Sequence, residues 1–257
     1  MNSKQQFDLP EFLGCIEPYS ALDPDAFGRL VAAARLVCLE RGETLFEQGQ
    51  CCEGVYVVVS GQIKLAFYSP HGAEKVVAIA TPREGIGEAC MSLGQDYPFH
   101  AEALVDTTLV FLPQQALQAC VDADRNFTYC LMKQIAEKLH NLLLDVESSA
   151  MLSGTERVVD FLMRQTRIMA DDGSAIIALS LPKSIIASRL SLTQEHFSRL
   201  LRNLSESGMI AVEGRLIRIP DVARLSRYLD SGAAHCTNRS GRSSGRGRAS
   251  WERLAVA

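Results

Sequence analysis

The segment Ser191–Asn203 reads SLTQEHFSRLLRN, and with Leu204 it sets Phe197, Leu200, Leu201 and Leu204 at helical spacing. One face of that helix is bound for a core. Gln194, Glu195, Ser198 and Arg199 then point outward together. A guanidinium donates in a rigid fork, a carboxylate only accepts, and a hydroxyl does both. Such a face suits the reading of a patterned polar surface.

Other chemistry-bearing residues are sparser. The eight cysteines are Cys15, Cys38, Cys51, Cys52, Cys90, Cys120, Cys130 and Cys236, and none forms a C-x-x-C pair. Most are expected as buried free thiols. The tandem Cys51-Cys52 is either a plain loop or a redox element. Gly87-Glu88 reads as a barrel turn with a surface carboxylate. No nucleophile–base set, metal-ligand motif or phosphate loop stands out, so the sequence predicts a protein that is not an enzyme.

The elements that position these residues follow from periodicity. LDPDAFGRLVAAARLV predicts a helix with Asp23 as N-cap and Pro24 as its first residue. Residues 36–112 form short apolar runs broken by turns, with Gly42, Gly49, Gly54, Gly61, Gly72, Gly85 and Gly87 at turn-like spacings. That pattern predicts a β-barrel or sandwich of the jelly-roll kind. A long helix follows from about Asn126 to Ser149, in which Met132, Ile135, Leu139, Leu142 and Val146 step by 3 and 4. That is a heptad seam, and because it runs past the end of the barrel it predicts a homodimer interface. MLSGTERVVDFLMRQTRIM is another amphipathic helix. PKSIIASRL, a tight turn and TQEHFSRLLRNLSESG give helix, turn, helix, with Thr193 as N-cap and Ser207-Gly208 as the stop. MIAVEGRLIRIPD is a hairpin turning at Glu213-Gly214. The whole is a winged helix-turn-helix.

Charge agrees with this division. Residues 1–153 carry 10 Lys+Arg and 20 Asp+Glu, residues 154–230 carry 11 and 9, and residues 231–257 carry 5 and 1. A polyanion is therefore expected to meet the back half. The tail, TNRSGRSSGRGRAS, lacks periodicity and is expected to be disordered. No run of about 18 apolar residues exists, so no membrane span is predicted. The N-terminus lacks a signal-peptide core, and cytoplasm is the expectation.

This order of elements resembles the CRP/FNR family of bacterial transcription regulators. The resemblance covers about residues 12–230. It rests on GETLFEQGQ, VYVVVSGQIKLAF, GIGEA and AEALVDTTLVFLP in the barrel and on ASRLSLTQEHFSRLLRNLSESGMIAVEGRLIRI near the C-terminus. It implies an α+β fold. A cyclic-nucleotide-binding-like effector domain spans 12–124, a dimerisation helix 125–150, a winged helix-turn-helix 151–231 and a disordered basic tail 232–257.

The resemblance implies that the second helix of the motif enters the major groove of double-stranded DNA. There Arg199 can bond a guanine bidentately, Glu195 can accept from a cytosine amino group, and Ser198 can bond several partners. Thr193, Gln194, Arg202 and Lys183 join them as expected DNA-binding residues. The E-x-x-S-R pattern is that of the FNR branch and implies a TTGAT-N4-ATCAA-type palindromic operator, with RNA polymerase as a further partner. Ser191 departs from the family, which often has Gly there; at positive φ a Ser costs roughly 1 kcal/mol more than Gly.

The effector is read from what is missing. Only Cys15 precedes the first helix, so an FNR-type iron–sulfur cluster is not expected. Gly87-Glu88 match the ribose-binding pair of the cyclic-nucleotide pocket, but Tyr97-Pro98 stand where the phosphate-binding Arg-Ser should be. A phosphate there lacks a cation, so cyclic AMP is not expected. What remains is similar to the Dnr-type branch, associated with haem-dependent nitric-oxide sensing. Among His71, His100 and His140, His100 is the first candidate for a haem ligand, in an effector pocket with Gly87, Glu88 and Tyr97. Thiol-redox and cyclic-nucleotide responses remain as alternatives with the same DNA-binding output.

Overall fold

The computed structural model describes residues 7–69, 71–72, 74–166, 170 and 172–236, with no account of the side chains from 230 onward. In chain order the elements are α1 (Leu9–Gly14), α2 (Pro24–Ala33), β1 (Arg35–Leu39), β2 (Thr44–Phe46), β3 (Gly54–Ser60), β4 (Ile63–Tyr68), β5 (Glu74–Ala80), β6 (Gly85–Ile86), α3 (Glu88–Leu93), β7 (His100–Ala103), β8 (Thr107–Pro113), α4 (Gln114–Ala123), α5 (Arg125–Met151), α6 (Gly154–Gln165), β9 (Ala175–Ala178), α7 (Lys183–Arg189), α8 (Gln194–Glu206), β10 (Ala211–Glu213), β11 (Leu216–Ile219) and α9 (Val222–Cys236). They pack into two compact units. One holds the chain up to Met151 together with Leu181–His196; the other holds Leu152–Ser180 and the chain from Phe197.

The first unit is the expected jelly-roll of two four-stranded antiparallel sheets, ordered β1-β8-β3-β6 and β2-β7-β4-β5. Val55, Val57 and Val58 of β3 and Leu109, Val110 and Leu112 of β8 are almost fully buried. Strands buried this completely lose simple alternation and read as apolar runs, as VYVVV and TLVFL do. Each such side chain contributes about 1.5–3 kcal/mol by leaving water. Asp23 caps α2 as expected, accepting from the N–H groups of Asp25 and Ala26 at 3.0 and 2.9 Å. The helix is shorter than expected: it stops at Ala33, and Arg35–Leu39 is already strand, because β1 pairs with β8 across Val37↔Leu109.

Asp124 joins three helices. Its carboxylate accepts from Asn126 and Phe127 at the start of α5, at 2.8 and 3.0 Å, and from Asp23 at the head of α2, at 3.3 Å. The bond from Phe127 N–H leads in holding this carboxyl below its usual range. Its contribution is therefore complete above the ordinary carboxylate range and lost as pH falls through the lowered value. Asp124→Ala should melt at lower temperature than the parent at pH 7, and thermal melts should show the gap closing toward pH 3.

Helix α5 is anchored at its start by Phe127 and Leu131, both buried, with Ile135 packed on the same core. Beyond that point Leu139, Leu142, Leu143 and Val146 are exposed at 50–64%, while Leu144 is half-buried.

In the second unit α6 begins at a capping box. Ser153 accepts from Glu156 N–H while the Glu156 carboxylate accepts from Ser153 N–H. Val158, Val159 and Leu162 of α6 are fully buried. A three-stranded antiparallel sheet, β10-β11-β9, carries the hairpin, which turns at Gly214 with φ 65°. Phe197, Leu200, Leu201 and Leu204 of α8 are all buried, as their spacing requires. Helix α9 runs through to Cys236, so helix replaces the expected start of the disordered tail at 232. The remainder of that expectation, 237–257, lies outside the described residues.

One expectation about the cysteines is revised. Cys52, Cys90 and Cys120 are buried, but Cys15, Cys38 and Cys51 are exposed and Cys130 half-buried, so most described thiols are not in the core. Among the described residues no set of three or more His, Cys, Asp or Glu is arranged to hold a metal ion. No described helix is long and apolar enough to cross a membrane.

Candidate nucleic-acid interface and effector pocket

The turn between α7 and α8 is built by backbone hydrogen bonds from Leu190, Ser191 and Leu192 to Ile186, Ser188 and Ala187 at 2.9–3.0 Å. Ser191 sits at φ 55°, the left-handed conformation its position suggested, despite not being glycine. Thr193 then caps α8: its hydroxyl accepts from His196 N–H at 3.2 Å, an interaction of about 1 kcal/mol. With Phe197, Leu200 and Leu201 turned inward, Gln194, Glu195, Ser198, Arg199 and Arg202 are all exposed. Glu195 lies in the first turn, where the helix dipole favours a carboxylate. Arg202 forms an exposed pair with Glu206 at 3.6 Å, worth little and easily exchanged for another anion. Lys183, half-buried, opens α7. The face is thus one helical stripe of donors and acceptors held on a capped, well-anchored helix.

The effector-pocket candidates separate into two groups. Gly87 has φ 105° at the start of α3, a conformation that favours glycine, and a β-carbon there would lie 3.1 Å from the Tyr97 ring. Tyr97 stacks on Phe46 with ring centroids 3.6 Å apart and donates to Gly54 O at 2.9 Å. Cys52 Sγ donates to Gly54 O at 3.4 Å beside it. Burial leads in pushing the Tyr97 phenol far up, with the Cys52 bond adding to it, so Tyr97 stays neutral. It supplies no positive charge where the family resemblance calls for one.

Glu88 is not the surface carboxylate expected. It is 4% exposed, on the first turn of α3, and Lys138 of α5 reaches it at 2.7 Å. The same ammonium donates to Gly85 O at 2.8 Å. Any side chain at Gly85 would collide with the Glu88 carboxylate, so the residue must be glycine for Glu88 to fit. Burial of an unpaired carboxylate is costly, and the pair with Lys138 explains how Glu88 is tolerated inside.

His100 belongs to a different cluster, on the β2-β7-β4-β5 sheet. Its Nδ1 lies 2.8 Å from Glu47 and its Nε2 3.9 Å from Glu102, and the Tyr68 ring meets it edge-on at 5.3 Å. Lys64, 6% exposed, bonds Glu102 at 3.1 Å and Glu74. Burial alone would lower the Lys64 ammonium, but its bonds to Glu74 and Glu102 outweigh that and hold it above its usual value. Nδ1 of His100 is held by Glu47, and a haem iron at Nε2 would meet the Glu102 carboxylate nearby. His71 lies in the β4–β5 turn and His140 is exposed on α5.

Sequence reasoning missed Lys138 and Lys64. Their partners lie 50 and 38 residues away in the chain, and nothing local marks them.

Comparison with known proteins agrees with this geometry. Residues 36–124 match the cyclic nucleotide-binding domain model, and residues 156–228 match the Crp-like helix-turn-helix domain model. The chain is 29% identical over 209 residues to the transcriptional activator protein Anr of Pseudomonas protegens, covering 79% of this chain and 83% of that protein. It is 26% identical over 205 residues to the fumarate and nitrate reduction regulatory protein of Escherichia coli, covering 78% and 79%. Among solved structures it is similar to FixK2 from Bradyrhizobium japonicum, with 25% identity, a TM-score of 0.66, and coverage of 76% of this chain and 96% of that one.

Proposed function

For this chain, a DNA-binding transcription regulator of the CRP/FNR type with a cyclic-nucleotide-binding-type sensory domain, we propose that it acts as a homodimer on a TTGAT-N4-ATCAA-type palindrome. The observation that carries the reading is the exposed trio Glu195, Ser198 and Arg199 on one face of a capped helix. Arg199 suits a guanine, Glu195 a cytosine amino group, and Ser198 either acceptor or donor. Thr193, Gln194, Arg202 and Lys183 serve phosphates and register. The exposed seam of Met132, Leu139, Leu142 and Val146 supplies the dimer contact, with Ile135 at its inner end. RNA polymerase is the partner that such a regulator addresses.

Fluorescence anisotropy on a labelled palindrome tests the reading. Arg199→Ala should cost about 1–3 kcal/mol, roughly tenfold to a hundredfold in affinity, and relax discrimination at one base pair of each half-site. Lys183→Ala should instead weaken all sequences alike and flatten the salt dependence. Equal binding of the palindrome and a scrambled duplex by the parent protein would overturn the reading.

The signal enters, in this reading, as a change of packing between barrel and long helix, with Glu88 and Lys138 as the point of contact. A cyclic nucleotide does not suit the pocket, where Tyr97 offers no cation and Glu88 is already paired. Haem with nitric oxide does not suit His100. The thiol alternative has one observation in its favour: exposed Cys51 adjoins buried Cys52, whose sulfur lies 3.4 Å from the carbonyl of Gly54 and 3.9 Å from that of Gly87. A fall in the free-thiol count on mild oxidation, together with altered operator affinity, would support it; unchanged affinity would remove it.

A further inference from the structure

β5 is the outer strand of its sheet, and α7 is packed against it in the same compact unit. Hydrogen bonds cross the join. Lys75 Nζ donates to Ser188 O at 2.7 Å, to Arg189 O at 3.1 Å and to Ser191 Oγ at 2.7 Å. The backbone N–H of Val76 donates to Ser188 Oγ at 3.0 Å. Arg189, the last residue of α7, turns its guanidinium to Asp145 of α5 at 3.5 Å. The ammonium thus caps the C-terminal end of α7, where free carbonyls and the helix dipole both favour a cation. It also takes up the one side chain that distinguishes this turn from a glycine turn. The left-handed Ser191 costs backbone energy, and its hydroxyl is what the strained position offers to Lys75.

We propose that Lys75, Ser188 and Ser191 form a latch that holds the first helix of the DNA-binding motif on the sensory barrel in a state of low operator affinity. Two features set the direction. The latch sets α7 against β5, where Ser188 Oγ donates to the Glu74 carbonyl, on the part of the chain (residues 1–153, 10 Lys+Arg against 20 Asp+Glu) whose acidic balance repels DNA phosphates. It also commits Arg189 to a carboxylate rather than to a phosphate. Operator binding draws on the unlatched fraction, so the latch lowers apparent affinity by that fraction. The latch rests on the DNA-binding reading above for its consequence, not for its existence.

The test uses the full chain in two variants. Lys75→Met removes the ammonium. Ser191→Gly removes the hydroxymethyl group and suits the left-handed turn, so it keeps the fold if Lys75→Met does not. Hydrogen exchange of peptides covering Lys183–Thr193 reports the latch without DNA, and anisotropy on the palindrome and a scrambled duplex reports its consequence. Both variants are expected to exchange faster in that segment. Lys75→Met is expected to bind the palindrome about tenfold more tightly than the parent, the scale of one charge-assisted hydrogen-bond set, and Ser191→Gly is expected to shift the same way by less. Unchanged exchange overturns the latch. Faster exchange with unchanged or weaker palindrome binding overturns its inhibitory role. Parent protein that does not distinguish palindrome from scrambled duplex overturns the DNA-binding reading instead, and the exchange result still decides whether the latch exists.

Discussion

Aspartate at both Leu139 and Leu142 should convert the protein to a monomer and lower operator affinity by more than about a hundredfold. These two residues are 57% and 50% exposed, within a stripe that includes Met132 at 60% and Val146 at 64%. Such a stripe, spaced by 3 and 4, is the pattern that a second helix covers. Removing it from water is the main favourable term in association, and two carboxylates per helix in the seam would oppose it. A monomer reads one half-site only. It loses the effective concentration that links the second half-site to the first, a factor of about 10² to 10⁴. The measurements are mass by sedimentation and anisotropy on the palindrome. A dimer that persists with both aspartates in place would show that the two copies meet through another surface. Ile135→Asp makes an instructive contrast: Ile135 packs on the barrel core, so that change should lower the melting temperature as well.

The second large effect falls on Lys138→Met. Glu88 is 4% exposed and Lys138 is its charge partner. Taking one member from a buried pair typically costs 3–5 kcal/mol, because the other charge is left without compensation. The Lys138 side chain is itself 41% exposed, and water reaching it reduces the figure to about 2–3 kcal/mol. That corresponds to a fall of roughly 5–10 °C in melting temperature for a chain of this size. Glu88→Gln added to Lys138→Met should recover most of the loss, because a neutral amide does not need the ammonium. A double-mutant cycle by thermal unfolding measures the coupling. Additive losses would mean that the two groups act independently and that the pair is incidental.

Helix α8 was legible because every cue for it is local. Phe197, Leu200, Leu201 and Leu204 declare one buried face, Thr193 supplies the cap, and Gly208 closes the helix with φ 67°. The barrel was legible as a class, since buried strands and glycine turns leave a compositional trace. Glu88 was not, because a carboxylate after two glycines looks solvent-bound until Lys138 arrives from α5. The boundary of α2 was missed for a related reason: ARLV continues the helical pattern, but pairing with β8 takes it into a sheet. The capping box at Ser153 and Glu156 was in plain view as S-x-x-E, yet the apolar pattern carried the following helix back to Met151, which belongs to α5, when the cap starts it at Gly154. Lys75 had no local signal at all. Its partners are more than a hundred residues on, and only the departure at Ser191 hinted that the turn was doing something glycine could not.

Helix α5 runs unbroken for 27 residues, and its two buried anchors, Phe127 and Leu131, both lie near its beginning. From there to Met151 is about 30 Å of rod at 1.5 Å per residue. A rod whose buried anchors lie at one end, with polar contacts from Lys138 and Asp145 further along, is a lever. Tilting it by about 5° sweeps the free end by on the order of 3 Å, close to the 3.4 Å that separates neighbouring nucleotides along a DNA strand. A disturbance small enough to go unnoticed beside Glu88 therefore reaches Met151 as a displacement of about one base step.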